Sequence, residues 1–540
     1  MPALFRPPPQ SRAPELHRAA GDYFHKTWEI FPSEAAGLGL SEYRGRLGRN
    51  RPEDHRRHAA LMAQTLETIE ALPERAGDDW TDRRAFLAYL RSGLFYSATH
   101  PRWQLDPQTH SGAAANVIFH LLVRHAEDLN SVADDIVGLA KQIPRYLDEG
   151  YDCLLRPVPL WTDLATRSSR HAAKFMEETA KQIVPLVASR ANAQRAFDRA
   201  ADAFRGYARR LAKIRTGPAN GFAVGRDNFE FLLRERMGTD ASARELWNEG
   251  RRLVDRTAAE LECEARKFGR KQAHVVLEKL RNEWRPTAPD LLTEYRNVTA
   301  QIKKQLGQAG IVSLPRGEKL KVIPVPDFLR EQFPTAAYSS PGAFDPDQTG
   351  IFWVNDLSLH AKAEAARRAE IAQHFGLELT SAHEAYPGHH LQFIVQNRHP
   401  SHLRRMFSHA IFYEGWTLWC EKLCIEKKIY RAPHARLVQL HDAFWRANRI
   451  LVDVGLHTGG MSHAAATKHL TDNVGFTKSR AAADVNWYTA APTVPMSYLL
   501  GREKVSSLFA AHRGSLRQFT DWLLSHGAVP FSWFRSNRSR

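Results

Sequence analysis

The residues best suited to chemistry in this sequence are His383-Glu384 and His389-His390, inside Thr380-Ser-Ala-His-Glu-Ala-Tyr-Pro-Gly-His-His-Leu-Gln392. Histidine and glutamate at such spacing suggest a metal ion. Zinc needs nitrogen, oxygen or sulfur donors converging to about 2.0–2.3 Å from one point. The common helical solution, HExxH, places two histidines four apart on one face, with a glutamate between them to polarise a water. Here the position four after His383 is Pro387, which offers no ligand. Pro387 lacks an N–H and clashes with the preceding turn, and Gly388 relaxes the backbone, so the helix is expected to bulge or break there. Two inserted residues make His389 the equivalent of the usual second histidine. In an unbroken helix His390 shares the face of His383 instead, but two turns span about 10.8 Å along the axis, long for one ion. His389 is therefore the favoured second ligand. His390 is the substitute, or a donor behind the ligands.

A third ligand must come from another element. Glu414, in Phe412-Tyr-Glu-Gly-Trp-Thr-Leu-Trp-Cys-Glu421, lies 25 positions after His389. That leaves room for a helix end, a loop near His399-Pro400 and a return helix that brings Glu414 back toward His383. Phe412, Trp416 and Trp419 would dry the site, and Gly415 allows close helix approach. Two histidines and one glutamate leave a fourth position to water, the catalytic arrangement of zinc. Farther on, Arg449, Asp453 and His457 are spaced four apart and share one helical face. That face could orient a metal ligand or clamp a substrate carboxylate.

The elements that must position these residues read mostly as helix. Ser242-Ala-Arg-Glu245 is a capping box, and behind it Leu246, Leu253, Leu261, Ala265 and Phe268 recur at helical spacing before Gly269. Helical patterns also cover 57–70, 128–143, 170–184 and 193–214, the second and third stopping before Pro144 and Pro185. Residues 215–228 are rich in breakers and suggest a boundary between an N-terminal helical lobe, 1–216, and a catalytic helical lobe, 217–540. Prolines 315, 324, 326, 334, 341 and 346 interrupt the second lobe. Strand-like runs at Lys321–Val325 and Gly350–Asn355 suggest a small sheet within 315–356, followed by zinc-binding helices within 361–428. The second run is apolar on both parities and so is expected to be buried. It could also pair with an extended peptide as an edge strand, which makes Asn355 a candidate substrate contact.

Composition narrows the remaining classes. The chain has 540 residues, 43% hydrophobic and 25% charged, which is enough apolar material for a large core. The formal charge of +16 is spread along the chain, and the densest cluster is the tail Arg535–Arg540. With no zinc-finger spacing, RNP motif or basic-region heptads, specific nucleic-acid recognition is not expected. Four cysteines, 153, 263, 420 and 424, make neither a disulfide framework nor a CxxC pair. No apolar run approaches the roughly 20 residues of a membrane-spanning helix. The first residues show no secretory pattern, and a cytoplasmic protein is the expectation. No P-loop and no Gly-x-Ser-x-Gly elbow is present.

The pattern His-Glu-x-x-Pro-Gly-His-His-Leu-Gln, followed by Glu-Gly-Trp, resembles the bacterial DUF885 family. That family is itself similar to the helical gluzincin peptidases: thimet-type oligopeptidases, the angiotensin-converting-enzyme group and Taq-type carboxypeptidases. The resemblance spans nearly the whole chain. It includes Pro32–Tyr43, Arg449-Ile-Leu-Val-Asp-Val-Gly-Leu-His457, and the run from Tyr488-x-x-x-Pro492 to Tyr498-x-x-Gly501. Two departures stand out. Trp487-Tyr488 replaces the family's Arg-Tyr, and Pro492-Thr-Val replaces its Pro-Gly-Gln.

The resemblance implies a mainly α, two-lobed, gluzincin-like (zincin) fold with a small β-sheet beside the active-site cleft. It implies one zinc ion, or another divalent metal, held by His383, His389 (or His390) and Glu414. Glu384 is the implied general base. By likeness to peptidases that use a distal tyrosine, Tyr498 is the first candidate to stabilise the oxyanion, Tyr488 the second and His457 the third. Arg449, Asp453 and Asn355 are the substrate-binding candidates. The expected activity is a metallopeptidase acting on short peptides, with no membrane or specific nucleic-acid partner. The alternatives are a hydrolase of a non-peptide amide or ester, and a non-catalytic peptide-binding scaffold.

Overall fold

A computed structural model describes residues 4–269, 272–326, 330, 335–430 and 432–534. The basic tail Arg535–Arg540 and Pro334 lie outside the described residues. The chain is mainly α, with a small three-stranded mixed sheet. It divides into two compact units. The first comprises residues 1–222 with 341–347 and 401–406, and the second comprises 223–340, 348–400 and 407–540. Among the described residues, no helix is long and apolar enough to cross a membrane.

The first unit is helical throughout its long elements. Helix Pro52–Ala71 covers the expected 57–70 stretch, and Arg190–Leu211 covers most of 193–214. Helix Pro159–Ile183 ends two residues before Pro185, as the proline favours. Pro144 does not act as a stop. Helix Ala133–Cys153 runs through it, because apolar residues on both sides (Ile136, Leu139, Ile143, Leu147) bury one continuous face. That burial outweighs the roughly 3 kcal/mol that an interior proline costs. Trp28, Phe86, Trp161, Phe197 and Phe204 fill the core. Arg404, fully buried, brings segment 401–406 into this unit through a 2.7 Å ion pair with buried Asp82.

The second unit holds the chemistry. Its capping box forms as the sequence predicts: Glu245 N–H donates to Ser242 Oγ at 3.2 Å, and Ser242 N–H donates to Glu245 Oε2 at 2.8 Å. Seven further helices matter here: α1 (Leu291–Gln308), α2 (Leu377–Glu384), α3 (His389–Gln396), α4 (Ala410–Glu426), α5 (Ala435–His457), α6 (Lys478–Ala490) and α7 (Val494–Ala511). The sheet is β1 (Lys319–Pro324), β2 (Ala336–Ser339) and β3 (Thr349–Val354), in the order β1-β3-β2. β1 runs parallel to β3 and β2 antiparallel to it. All six residues of β3 are buried, as its unbroken apolar pattern requires.

β3 is thus the middle strand, paired on both sides, and offers no edge to a peptide. This corrects the edge-strand reading of 350–355. Asn355, 1% exposed, instead donates its backbone N–H to Thr335 O and its side-chain amide to Arg330 O. β2, which the sequence did not announce, is an edge strand, as is β1.

Helices α4 and α7 pack at unusually short range because glycine faces glycine. A Cβ on Gly415 would lie 2.5 Å from Gly501 Cα, and one on Gly501 would lie 2.2 Å from the Ile411 carbonyl oxygen. Neither obstacle is a flexible side chain, so the helices must separate to admit a methyl group. Gly501→Ala gains about 1 kcal/mol of helix propensity but is expected to lose about 1–3 kcal/mol net through overpacking. A lower midpoint in guanidinium unfolding, followed by circular dichroism, checks this.

Candidate metal centre

Helix α2 carries His383 and Glu384 at its C-terminal end and stops there. Ala385 leaves helical geometry at φ −104°, ψ −95°, the Tyr386–Pro387 bond is cis, and α3 begins at His389. The chain does not bulge but breaks into two helices. Gly388 is obligatory at the break: a Cβ there would stand 1.9 Å from His383 O and 2.4 Å from Ala382 O. The indole N–H of Trp416 on α4 donates to Pro387 O at 2.9 Å and braces the break from the other side. As a result His383 and His389, six positions apart, place their ring centroids 4.8 Å apart at 83°.

Glu414 on α4 completes the group. Ligand-capable atoms of His383, His389 and Glu414 all lie within 4.8 Å of one another. Glu414 Oε2 is 3.5 Å from His383 Nε2 and 3.7 Å from His389 Nε2. This oxygen is buried and, among the described residues, has no hydrogen-bond donor. A tetrahedral ion with ligands about 2.1 Å away spaces those ligands about 3.4 Å apart. The residues therefore fit a divalent cation: an orphaned carboxylate oxygen faces two imidazole nitrogens at coordination spacing.

The surrounding shell is specific. His383 Nδ1 lies 2.8 Å from Glu421 Oε1, so a proton on Nδ1 leaves Nε2 as the free ligand. Burial alone would lower the His383 imidazole, but Glu414 and Glu421 hold it up at about 10. Burial pushes His389 down to about 4, toward the neutral ring a metal requires. Its ring packs against Phe393 and Tyr413. Glu384 accepts the backbone N–H of Tyr338 on β2 at 3.1 Å. Burial raises its carboxyl to about 7, with His383 opposing and Glu414 assisting.

The other sequence candidates divide. Tyr498 on α7 lies near the Glu414 carboxylate, and burial and that neighbour raise its pKa. Tyr488 does not join the group: its hydroxyl lies between Arg449 Nε at 2.8 Å and Asp484 Oδ2 at 2.9 Å. His457, fully buried, bonds the Tyr488 carbonyl at 3.0 Å and stacks on Phe229, so it has no reacting atom to meet. Asp453 accepts the N–H groups of Thr493 and Met496 at 3.2 and 3.3 Å, capping the start of α7 rather than facing a ligand. Arg449 lies over the rings of Trp445 and Tyr498 at 4.0 and 4.7 Å. His390 stands outside the metal group with both ring nitrogens engaged, Nδ1 at 3.1 Å from Tyr338 Oη and Nε2 at 2.9 Å from Glu318 Oε2.

Sequence reasoning gave no role to Glu421, Glu318 or Tyr338. Glu421 had a usable signal: seven positions after Glu414, two turns on, it shares that residue's helical face. Glu318 and Tyr338 sit in the proline-rich stretch, where no periodicity marks a position.

Residues 32–537 match the family described as "Bacterial protein of unknown function (DUF885)". The chain belongs to the DUF885 family. Two solved structures share its fold. One, described as a "putative lipoprotein of unknown function" from Shewanella oneidensis, is 18% identical with a TM-score of 0.76, covering 96% of this chain and 98% of that one. The other, described as a "putative lipoprotein" from Colwellia psychrerythraea, is 18% identical with a TM-score of 0.73, covering 96% and 97%. No curated protein matches the chain. These structures correct the cytoplasmic expectation: the DUF885 fold occurs in proteins described as lipoproteins, a class held at the cell envelope, so the fold carries no cytoplasmic assignment.

Glu421→Gln keeps the shape of the side chain but removes the charge behind His383. Metal affinity, measured by competition with a chromogenic chelator, is expected to fall about 10–100-fold.

Proposed function

We propose that this DUF885 protein is a metal-dependent hydrolase, most simply a zinc peptidase acting on short peptides. The observation that carries this reading is the orphaned Glu414 oxygen facing His383 and His389, with the raised carboxyl of Glu384 beside them. The order His-Glu, His and distant Glu is that of the gluzincin peptidases, and we extend their zincin-type organisation to this fold on that basis. His383, His389 and Glu414 hold the ion. When bound, it supplies Lewis acidity for an attacking water and for the scissile carbonyl.

The chain's own residues do the rest. Glu384 takes the proton of the attacking water and delivers it to the leaving amine. Its raised pKa suits both halves of that transfer, since a base near 7 can also give the proton back. The Tyr498 hydroxyl donates to the oxygen on which charge develops. Glu421 fixes the tautomer of His383. The edge of β2 orients an extended substrate. Asn355 N–H bonds Thr335 O across the β2–β3 pair, so by antiparallel alternation Ala337 and Ser339 face β3. The main-chain groups of Ala336 then point away from it, available to a peptide, while the Tyr338 N–H on the same side is taken by Glu384.

Three results test this reading. Glu384→Gln is expected to retain metal at wild-type stoichiometry while hydrolysis of a fluorogenic peptide library falls at least about 10³-fold. Chelation abolishes turnover and zinc restores it. The rate falls as acid protonates Glu384, a carboxyl lifted to about 7 by burial and drawn down by the charge of a bound ion. The acid limb of kcat/KM is therefore expected at or below about pH 7 and disappears in no variant that keeps Glu384. A wild-type protein that cleaves a non-peptide amide or ester and no peptide would redirect the substrate assignment. Undiminished function in Glu384→Gln would favour a scaffold.

A further inference from the structure

We infer that Glu318, His390 and the Tyr338 side chain form a positioning relay that sets Glu384 against the metal group, so that the two adjacent histidines divide the work: His389 faces the ion and His390 places the base. The inference rests on the hydrolytic role proposed for Glu384.

The relay begins at the carboxylate it serves. Glu384 Oε2 is held 3.1 Å from the backbone N–H of Tyr338, so the base is located by the position of β2. β2 is only four residues long and pairs with β3 alone. An edge strand this short has few ladder bonds to hold it in place. A second anchor is supplied by the side chain of the same residue, whose hydroxyl meets His390 Nδ1 at 3.1 Å. His390 Nε2 in turn meets Glu318 Oε2 at 2.9 Å, immediately before β1. Glu318 also takes Lys303 Nζ from α1 at 2.5 Å and the hydroxyl of Tyr386, from the break between α2 and α3.

The proton directions follow from chemistry. Burial works against an ionised Glu318, but His390, Lys303 and Tyr386 hold its carboxyl down at about 2. A carboxylate can only accept, so His390 carries its hydrogen on Nε2, and Nδ1 accepts from the Tyr338 hydroxyl. Both nitrogens are then committed, which explains why His390 lies next to a metal ligand in sequence yet outside the metal group. The contact is also enclosed. His390 is fully buried, and a Cβ on Gly350 would lie 2.4 Å from its Nδ1 and 2.7 Å from Tyr338 Oη. The middle strand therefore lies directly over this bond, and one relay links β1, β2, α1 and the start of α3 to the carboxylate of Glu384.

The test uses the full chain and three readouts: bound zinc per protein, hydrogen exchange of the 336–339 amides by mass spectrometry, and steady-state kinetics on fluorogenic peptides. Tyr338→Phe removes one oxygen and keeps the ring. It is expected to retain zinc at wild-type stoichiometry and to exchange at 336–339 about 10-fold faster, with exchange in α2 unchanged. Its kcat is expected to fall about 10–100-fold while KM stays within about threefold, because the base is misplaced and the substrate edge is kept. His390→Gln is expected to retain zinc as well, and combined with Tyr338→Phe it should add little further loss, since both cut one relay. Loss of zinc in His390→Gln, or wild-type kcat and exchange in Tyr338→Phe, overturns the inference. If the wild type cleaves no peptide, the hydrolytic reading fails while the exchange result still decides whether the relay holds β2.

Discussion

A buried carboxylate oxygen with no hydrogen atom to accept is expensive, and the site of this protein is arranged around one. Leaving a buried polar oxygen without a hydrogen bond costs about 1–3 kcal/mol, and more when the group is charged. Glu414 Oε2 is in that state while lying 3.5 and 3.7 Å from two imidazole nitrogens. Those distances are too long for good hydrogen bonds and close to the spacing of ligands around one small cation. A cation bound there would supply the missing compensation. The packing nearby makes sense on the same terms, since Glu421 fixes which nitrogen of His383 is free and the apolar faces of α4 exclude water that would otherwise solvate Glu414.

The second constraint is the broken helix. An HExxH helix needs no special backbone between its ligands, whereas here the chain must end one helix, turn, and begin another within four residues. Gly388 satisfies the steric demand, because any side chain would collide with the last carbonyls of α2. Trp416 satisfies the electrostatic one by taking the Pro387 carbonyl. The break also accounts for the histidine doublet. At the first turn of a new helix two successive residues point about 100° apart, so His389 can turn to Glu414 while His390 turns to Glu318 and the sheet.

The sequence revealed what rests on local rules and concealed what rests on tertiary pairing. The helical character, the capping box at Ser242 and strands β1 and β3 follow from periodicity and backbone propensity. The meeting of His383, His389 and Glu414 follows from the chemistry of Pro387 and from the space needed for an antiparallel return to Glu414. Strand β2 was not legible, because four residues of mixed polarity inside a proline-rich stretch carry no period of their own. The middle position of β3 was not legible either, since an apolar run reads the same whether one or both of its edges are paired. Asp453 and His457 were misread for a related reason. Spacing placed them on one helical face, but spacing does not say whether that face meets substrate or the N-terminus of another helix.

The role found for Asp453 explains the backbone of Thr493, which is left-handed, with φ +73°. A β-branched residue in that region stores about 1–3 kcal/mol of strain, which glycine would not. The surroundings hold it there: Asp453 takes the Thr493 N–H and, one turn on, the Met496 N–H. These two bonds fix where α7 begins, and α7 carries Tyr498 to the Glu414 carboxylate and Gly501 to Gly415. The strained residue and its buried carboxylate therefore belong to the apparatus that aims Tyr498.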